Sequence, residues 1–186
     1  VWCVVVCAQP ALSAQGHRGM VASEHGLASH AGIAMLKQGG NAVDAAVATA
    51  FAVCVVNPSS CGIGGGGFMM IHLADQGGVV ALDYRETAPQ SAREDMFVRD
   101  GKVVPALSRS SGSAVGVPGE VAGLLTVLRR YGTLSRQTVM TPAINYARKG
   151  FPIGKHLAEV LAKKVEEIRA RPALARCDKS GRRRGL

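Results

Sequence analysis

Residues 57–89 read NPSSCGIGGGGFMMIHLADQGGVVALDYRETAP, and the rest of the chain is arranged around them. A glycine cluster runs from Gly62 to Gly67, and the apolar run Phe68–Leu73 follows it. Asp75-Gln76-Gly77-Gly78 is a turn signal between two apolar runs, so Val79–Tyr84 reads as the returning strand of a hairpin. Arg85 falls where that strand ends, with Glu86, Thr87 and Pro89 beyond it. A single cation at a strand end, in an otherwise apolar stretch, suits a carboxylate ligand, which a guanidinium grips through two parallel hydrogen bonds. The scaffold reading is that Arg85 pairs with Asp83 or Glu86, as a strand-end Arg readily does.

Gly62, Gly64 and Gly67 satisfy G-x-G-x-x-G, the dinucleotide fingerprint. That fingerprint needs a strand before it and a helix after it, so that the helix N-terminus receives the pyrophosphate. Here a helical stretch comes first and a strand follows, which argues against nucleotide binding. The glycines read instead as places where backbone passes close to other backbone or to a partner segment.

Upstream, Asn41 is placed to cap a helix over Ala42–Val56, AVDAAVATAFAVCVV, whose polar side chains are Asp44 and Thr49. A helix apolar on every side is expected to be buried on every side, which implies layers above and below it. Asp44, in the first turn, is expected to complement the helix dipole. Before it, Gly19–His25 reads as a short strand, and Leu27–Gln38 as a helix stopped by Gly39-Gly40. Downstream, residues 90–115 read as irregular, with a turn at Asp100-Gly101 and a loop over Ser108–Ser113. Pro118 is expected near the first position of a helix closed by Gly132. Ser135 is expected to cap Arg136–Lys149, which Pro142 should kink or restart, and His156–Arg169 forms a last helix. The pattern is α+β, helices packed on antiparallel strands. Two strands cannot cover so much apolar helix, so the sheet is expected to be completed by further segments.

Composition narrows the functional classes. Apolar residues make up 47% of the 186, enough for a sizeable core, while aromatics are 4%, too few for a base-stacking surface. The net charge is +9, but residues 163–186 hold nine Lys/Arg against Glu166, Glu167 and Asp178, so six of those charges belong to this end. The basic balance is therefore no argument that the body binds nucleic acid. Residues 1–16, VWCVVVCAQPALSAQG, resemble the end of a secretory signal peptide, an apolar run closed by small residues. The alternative is a first buried strand. Residues 17–172 form the folded portion, and 173–186 a basic tail without apolar periodicity. Cys3, Cys7, Cys54, Cys61 and Cys177 show no metal spacing, and neither do His17, His25, His30, His72 and His156. No metal or cofactor is expected. A Cys54–Cys61 bridge is left open, since spacing alone does not give its geometry.

Several stretches carry a family likeness. GMVASEH, LKQGGNAVDAAVATAFAVCVVNP, SSCGIGGGGFMMI, ALDYRETAP, SGSAVGVPGEVAGL and PAINYARKGFPI occur in one order over roughly residues 19–170. The chain thereby resembles the N-terminal part of the large subunit of γ-glutamyltransferases, also called glutathione hydrolases. Cephalosporin and glutaryl acylases look similar in this half and are the alternative within the fold.

The resemblance implies part of an N-terminal-nucleophile hydrolase αββα sandwich, and a precursor that cuts itself to free a Thr at the start of a small subunit. That Thr would attack the γ-glutamyl amide of glutathione or a related compound, its own α-amine serving as base, and pass the acyl group to water or to an amino acid or peptide. It implies that Arg85 binds the substrate α-carboxylate, and that the protein is exported to the periplasm or beyond. The family nucleophile sits in a Thr-Thr-His-type segment that does not occur here. Thr49, Thr87, Thr126, Thr133, Thr138 and Thr141 lack that context and read as packing or turn residues. No catalytic residue is therefore assigned in this chain, and it is expected to be inactive alone. The competing readings are an inactive remnant and a secreted amino-acid-binding module using Arg85 alone.

Overall fold

The computed structural model describes residues 15–171. The leader-like residues 1–14 and the basic tail beyond Arg171 lie outside the described residues, as do Cys3, Cys7 and Cys177.

Helix α1 (Gly26–Lys37) opens with His25, whose Nδ1 accepts the Leu27 N–H at 3.2 Å. Helix α2 (Ala42–Val56) opens with a full capping box. Asn41 Oδ1 accepts the N–H groups of Val43 and Asp44, and Asp44 Oδ2 accepts the Asn41 N–H at 2.8 Å. Ala28, Ala31 and Gly32 of α1 are buried, and the small side of the helix they form lets its axis approach α2, where a Cβ on Gly32 would meet Thr49 and the Ala45 carbonyl. Strands β1 (Phe68–Leu73) and β2 (Gly78–Asp83) pair antiparallel in one register, from Phe68 opposite Asp83 to Leu73 opposite Gly78. The turn between them is a 3₁₀ step over Ala74–Gln76, closed by Gly77 at φ 62.

Helix α4 (Glu120–Tyr131) and helix α5 (Arg136–Lys149) complete the packed body. The core joins Val47 and Phe51 of α2, Leu124, Val127 and Leu128 of α4, Val139 of α5 and Ile71 of β1. Fully burying side chains of this size contributes about 1.5–3 kcal/mol each. Helix α6 (Lys155–Arg169) follows, with Leu157 its one buried residue. Tyr146 of α5 donates its hydroxyl to the Leu27 carbonyl at 3.0 Å and ties α5 to α1.

Five expectations are corrected. Gly19–His25 is not a strand, because no described segment lies beside it to complete a ladder. Helix α2 is not covered all round, since Ala42 and Ala46 on one stripe remain exposed. Residues 90–115 are more regular than expected. Strands β3 (Val98–Arg99) and β4 (Lys102–Val103) form a minimal hairpin about Asp100 and Gly101, both at positive φ, and α3 (Pro105–Ser110) follows. Pro118 lies outside α4, whose N-cap is Gly119. Helix α5 runs unbroken through Pro142, held by the Ser135 cap and by burial of Val139 and Ala143 on either side of the proline.

The hairpin has two unlike faces. Ile71 is buried, and Met69, Leu73, Val80 and Leu82 pack against the core. Phe68, Met70 and Val79 point the other way and are exposed. Apolar residues on both faces mark a strand suited to cover on both sides, as in the inner sheets of a layered sandwich.

Candidate active-site wall around Arg85

Arg85 stands where three segments are sewn together. The Gly65 carbonyl accepts the N–H groups of Gly119 and Glu120, both at 3.0 Å, and so receives the start of α4. The Gly67 carbonyl accepts the Tyr84 N–H at 3.0 Å, extending the hairpin into the glycine cluster. Thr87 and Val117 exchange a pair of backbone hydrogen bonds, of 2.8 and 3.3 Å. Asp83 Oδ1 accepts the Arg85 N–H at 2.9 Å and fixes the strand end.

The glycines make this packing feasible. A Cβ on Gly66 or on Gly119 would collide with the Tyr84 carbonyl oxygen, and one on Gly123 would strike the Tyr84 ring. Gly119 and Gly123 are four residues apart, so they lie on one side of the start of α4 and leave a slot that Tyr84 fills. The close-approach reading of the glycine cluster is thus the one the fold uses, and no helix follows the cluster to hold a pyrophosphate.

The side chain of Arg85 remains 59% exposed, with Nε 3.2 Å from Glu86 Oε2. That oxygen is buried and has no partner with hydrogen-bond geometry, so the contact is electrostatic. The scaffold pairing with Glu86 is therefore real, and it engages the Nε edge. Among the described residues no hydrogen bond involves Nη1 or Nη2, which leaves the outer edge of the guanidinium for a second carboxylate. Near Glu86, Glu120 is buried, and burial together with the Glu86 charge holds its carboxyl above the usual range. Burial and the same Glu120 push the Tyr84 hydroxyl up.

The threonines behave as packing and turn residues. Thr49 donates to the Ala45 carbonyl, Thr141 to the Gln137 carbonyl and Thr133 to Asp44, while Thr138 bonds the Ser135 cap. Among the described residues no three His, Cys, Asp or Glu side chains are grouped to hold a metal, and no helix is long and apolar enough to cross a membrane.

Sequence reasoning put Arg85 at the end of a strand but missed the packing around it. The slot for Tyr84 had a signal, the i,i+4 glycines of VPGEVAG. Burial of Glu120 had none, since a Glu in the first turn of a helix reads as a surface dipole partner. Asp44 was read too narrowly. Besides the capping box it accepts the Thr133 N–H, the Thr133 hydroxyl at 2.7 Å and the Leu134 N–H at 3.0 Å, and so fastens the α4–α5 connection to α2.

Comparison with known proteins agrees with this geometry. The family model described as gamma-glutamyltranspeptidase matches residues 28–181. The glutathione hydrolase proenzyme of Bacillus subtilis is 47% identical over 155 residues, which are 82% of this chain and 26% of the relative. The crystal structure of Helicobacter pylori gamma-glutamyltranspeptidase superposes with a TM-score of 0.84 at 42% identity, covering 91% of this chain and 49% of that one. The cephalosporin acylase of Bacillus halodurans gives 0.69 at 27% identity, covering 89% of this chain and 32% of that one. The fold is therefore a partial N-terminal-nucleophile hydrolase, α+β, of which these residues supply helices and the β1–β2 hairpin. The chain belongs to the γ-glutamyltranspeptidase family. It spans about a quarter of the length of the curated relatives it matches.

Proposed function

We propose that this chain supplies the carboxylate-binding wall of a γ-glutamyl acyltransferase, with Arg85 holding the α-carboxylate of the γ-glutamyl substrate. The observation that carries this reading is the Arg85 guanidinium itself. It is exposed on its outer edge, held on its Nε edge by Glu86, and set on a backbone cradle that three chain segments build. Glutathione or a similar γ-glutamyl amide is the substrate class. The acyl-accepting Thr would come from the small subunit of the same precursor, absent from these residues, with water or an amino acid or peptide as final acceptor. The chain alone is then inactive, and the protein acts in the periplasm or outside the cell. The greater identity to glutathione hydrolases than to the cephalosporin acylase favours a γ-glutamyl over a cephalosporin or glutaryl substrate.

The test is a chimera in which residues 28–171 replace the matching stretch of the Bacillus subtilis proenzyme. The chimera is expected to mature and to cleave a chromogenic γ-glutamyl anilide. Arg85→Lys in it should raise KM about 10–100-fold, the range for losing a charge-assisted, bidentate contact. Maturation with unchanged KM in that variant removes the role of Arg85. A chimera that folds and matures but cleaves nothing supports the remnant reading.

A further inference from the structure

We propose that Cys54 and Cys61 are a redox-closable thiol pair that locks the glycine cluster to the end of α2. Cys54 lies in the last turn of α2 and is buried, whereas Cys61 is half-buried on the loop that follows. The loop folds back because Asn57 organises it. The Asn57 carbonyl accepts the N–H groups of Ser60 and Cys61, both at 3.2 Å. Its Nδ2 donates to Ser60 Oγ at 2.8 Å and to Glu24 Oε2 at 2.9 Å, and Ser59 Oγ donates to its Oδ1 at 3.0 Å. The outcome is a contact of 2.9 Å between the two Sγ atoms, with both residues still thiols. A cysteine pair placed by a hydrogen-bonded turn needs little backbone movement to join.

The two thiols are unequal, and this sets the order of events. Burial first, then the hydrogen bond with Cys61 and the nearby Glu120, push the Cys54 thiol far up, so it stays protonated. Cys61 is the more accessible sulfur. As a thiolate it attacks a small-molecule disulfide, breaking that S–S bond, forming a mixed disulfide on Cys61 and releasing one small thiol. Cys54, held against Cys61, then gives up its proton as its sulfur bonds Cys61 Sγ, and the second small thiol leaves carrying a proton; this is the slower of the two steps. The protein loses two thiol protons and two electrons, and the small disulfide is reduced to two thiols carrying those protons. The bond ties down Cys61 immediately ahead of Gly65 and Gly67, whose carbonyls hold Glu120 and Tyr84. The proposal is independent of what Arg85 binds.

The experiment takes the full 186-residue chain, reduced and desalted, and exposes it to 2-hydroxyethyl disulfide, which carries no γ-glutamyl group. Remaining thiols are alkylated and the chain is cut with trypsin. Lys37 and Arg85 bracket residues 38–85, which contain no other Lys or Arg, so both cysteines fall in one peptide, apart from Cys3, Cys7 and Cys177. The expected product is this peptide two hydrogens lighter and without alkyl groups. Cys54→Ser should trap the small thiol on Cys61, and Cys61→Ser should leave Cys54 reacting at least tenfold more slowly than Cys61 does. A wild-type peptide that keeps both alkylation sites, carries two mixed disulfides, or is linked to one of the other cysteines overturns the proposal.

Discussion

Two buried carboxylates, one near each end of α2, have opposite fates. Asp44 has no exposed surface and is enclosed by donors, the N–H groups of Asn41, Thr133 and Leu134 and the Thr133 hydroxyl. Burial alone would push its carboxyl up, but the Leu134 N–H, the Thr133 hydroxyl and the other donors outweigh it, and the group sits below the usual range. Glu120 is nearly as buried, yet among the described residues no side-chain hydrogen bond reaches it, and Glu86 adds a like charge. It sits above the usual range. A satisfied buried charge marks a joint. One without such donors holds its proton more tightly and contributes no comparable joint.

The comparison breaks most directly at Asp44. Asp44→Ala strands three N–H donors and a hydroxyl and should cost about 3–5 kcal/mol, read as a large fall in denaturation midpoint. A loss below 1 kcal/mol would mean the joint is ornamental. The pH sign follows from the depressed pKa. The contribution of ionised Asp44 is fully present above the ordinary aspartate value, about 3.9, and is lost as pH falls through the lower folded value. Asp44→Asn should flatten that acid limb in a melting series from neutral to low pH.

Gly123→Ala is the next largest. Its Cβ meets the Tyr84 ring, and overpacking of this kind costs about 1–3 kcal/mol. In the chimera it should also raise KM, because Tyr84 immediately precedes Arg85; unchanged melting would show that the slot yields.

Glu120→Gln should do the reverse of Asp44→Ala and stabilise by about 1 kcal/mol at neutral pH, the scale of removing a poorly solvated buried charge. With a raised folded pKa, Glu120 lowers stability as pH rises from the ordinary glutamate value, about 4.3, through the raised one. The gain from Gln should vanish in acid; a loss at all pH values would reveal a hidden partner for the carboxylate. The smallest effect is expected at Arg85. Arg85→Ala should change stability by less than about 0.5 kcal/mol in a denaturation series, since its pairing is largely exposed.

The contrast also separates what the sequence made legible from what it did not. Helix α2 was readable to the residue, because Asn41 announces its start and a run apolar but for Asp44 and Thr49 leaves no other fate. The β1–β2 hairpin was readable from two apolar runs around Asp75–Gly78. The strand end that precedes Arg85 was readable from ALDYRETAP. Long-range polar partners were not readable. Nothing in VDAAV says that its Asp will meet Thr133 and Leu134, and nothing in PGEVAG says that its Glu will be buried. Local pattern specifies local structure, whereas the partner of a buried charge depends on the whole topology. The strand expected at Gly19–His25 failed for the same reason, since strand formation needs a neighbour that periodicity cannot supply.

The Asp44 joint also bears on how the chain is made. Its bonds to Thr133 and Leu134 bridge 89 and 90 positions, and the hairpin, the glycine cluster and Arg85 all lie on the stretch between. Closing so long a stretch costs on the order of 4 kcal/mol in chain entropy. During synthesis α2 emerges roughly 5–20 s before Leu134, at ordinary elongation rates. Through that interval the most apolar helix of the chain waits with its inward-facing carboxylate held by the local Asn41 N–H alone. The strand end that carries Arg85 is thus fixed by a segment made late, and α2 is made before its lock exists.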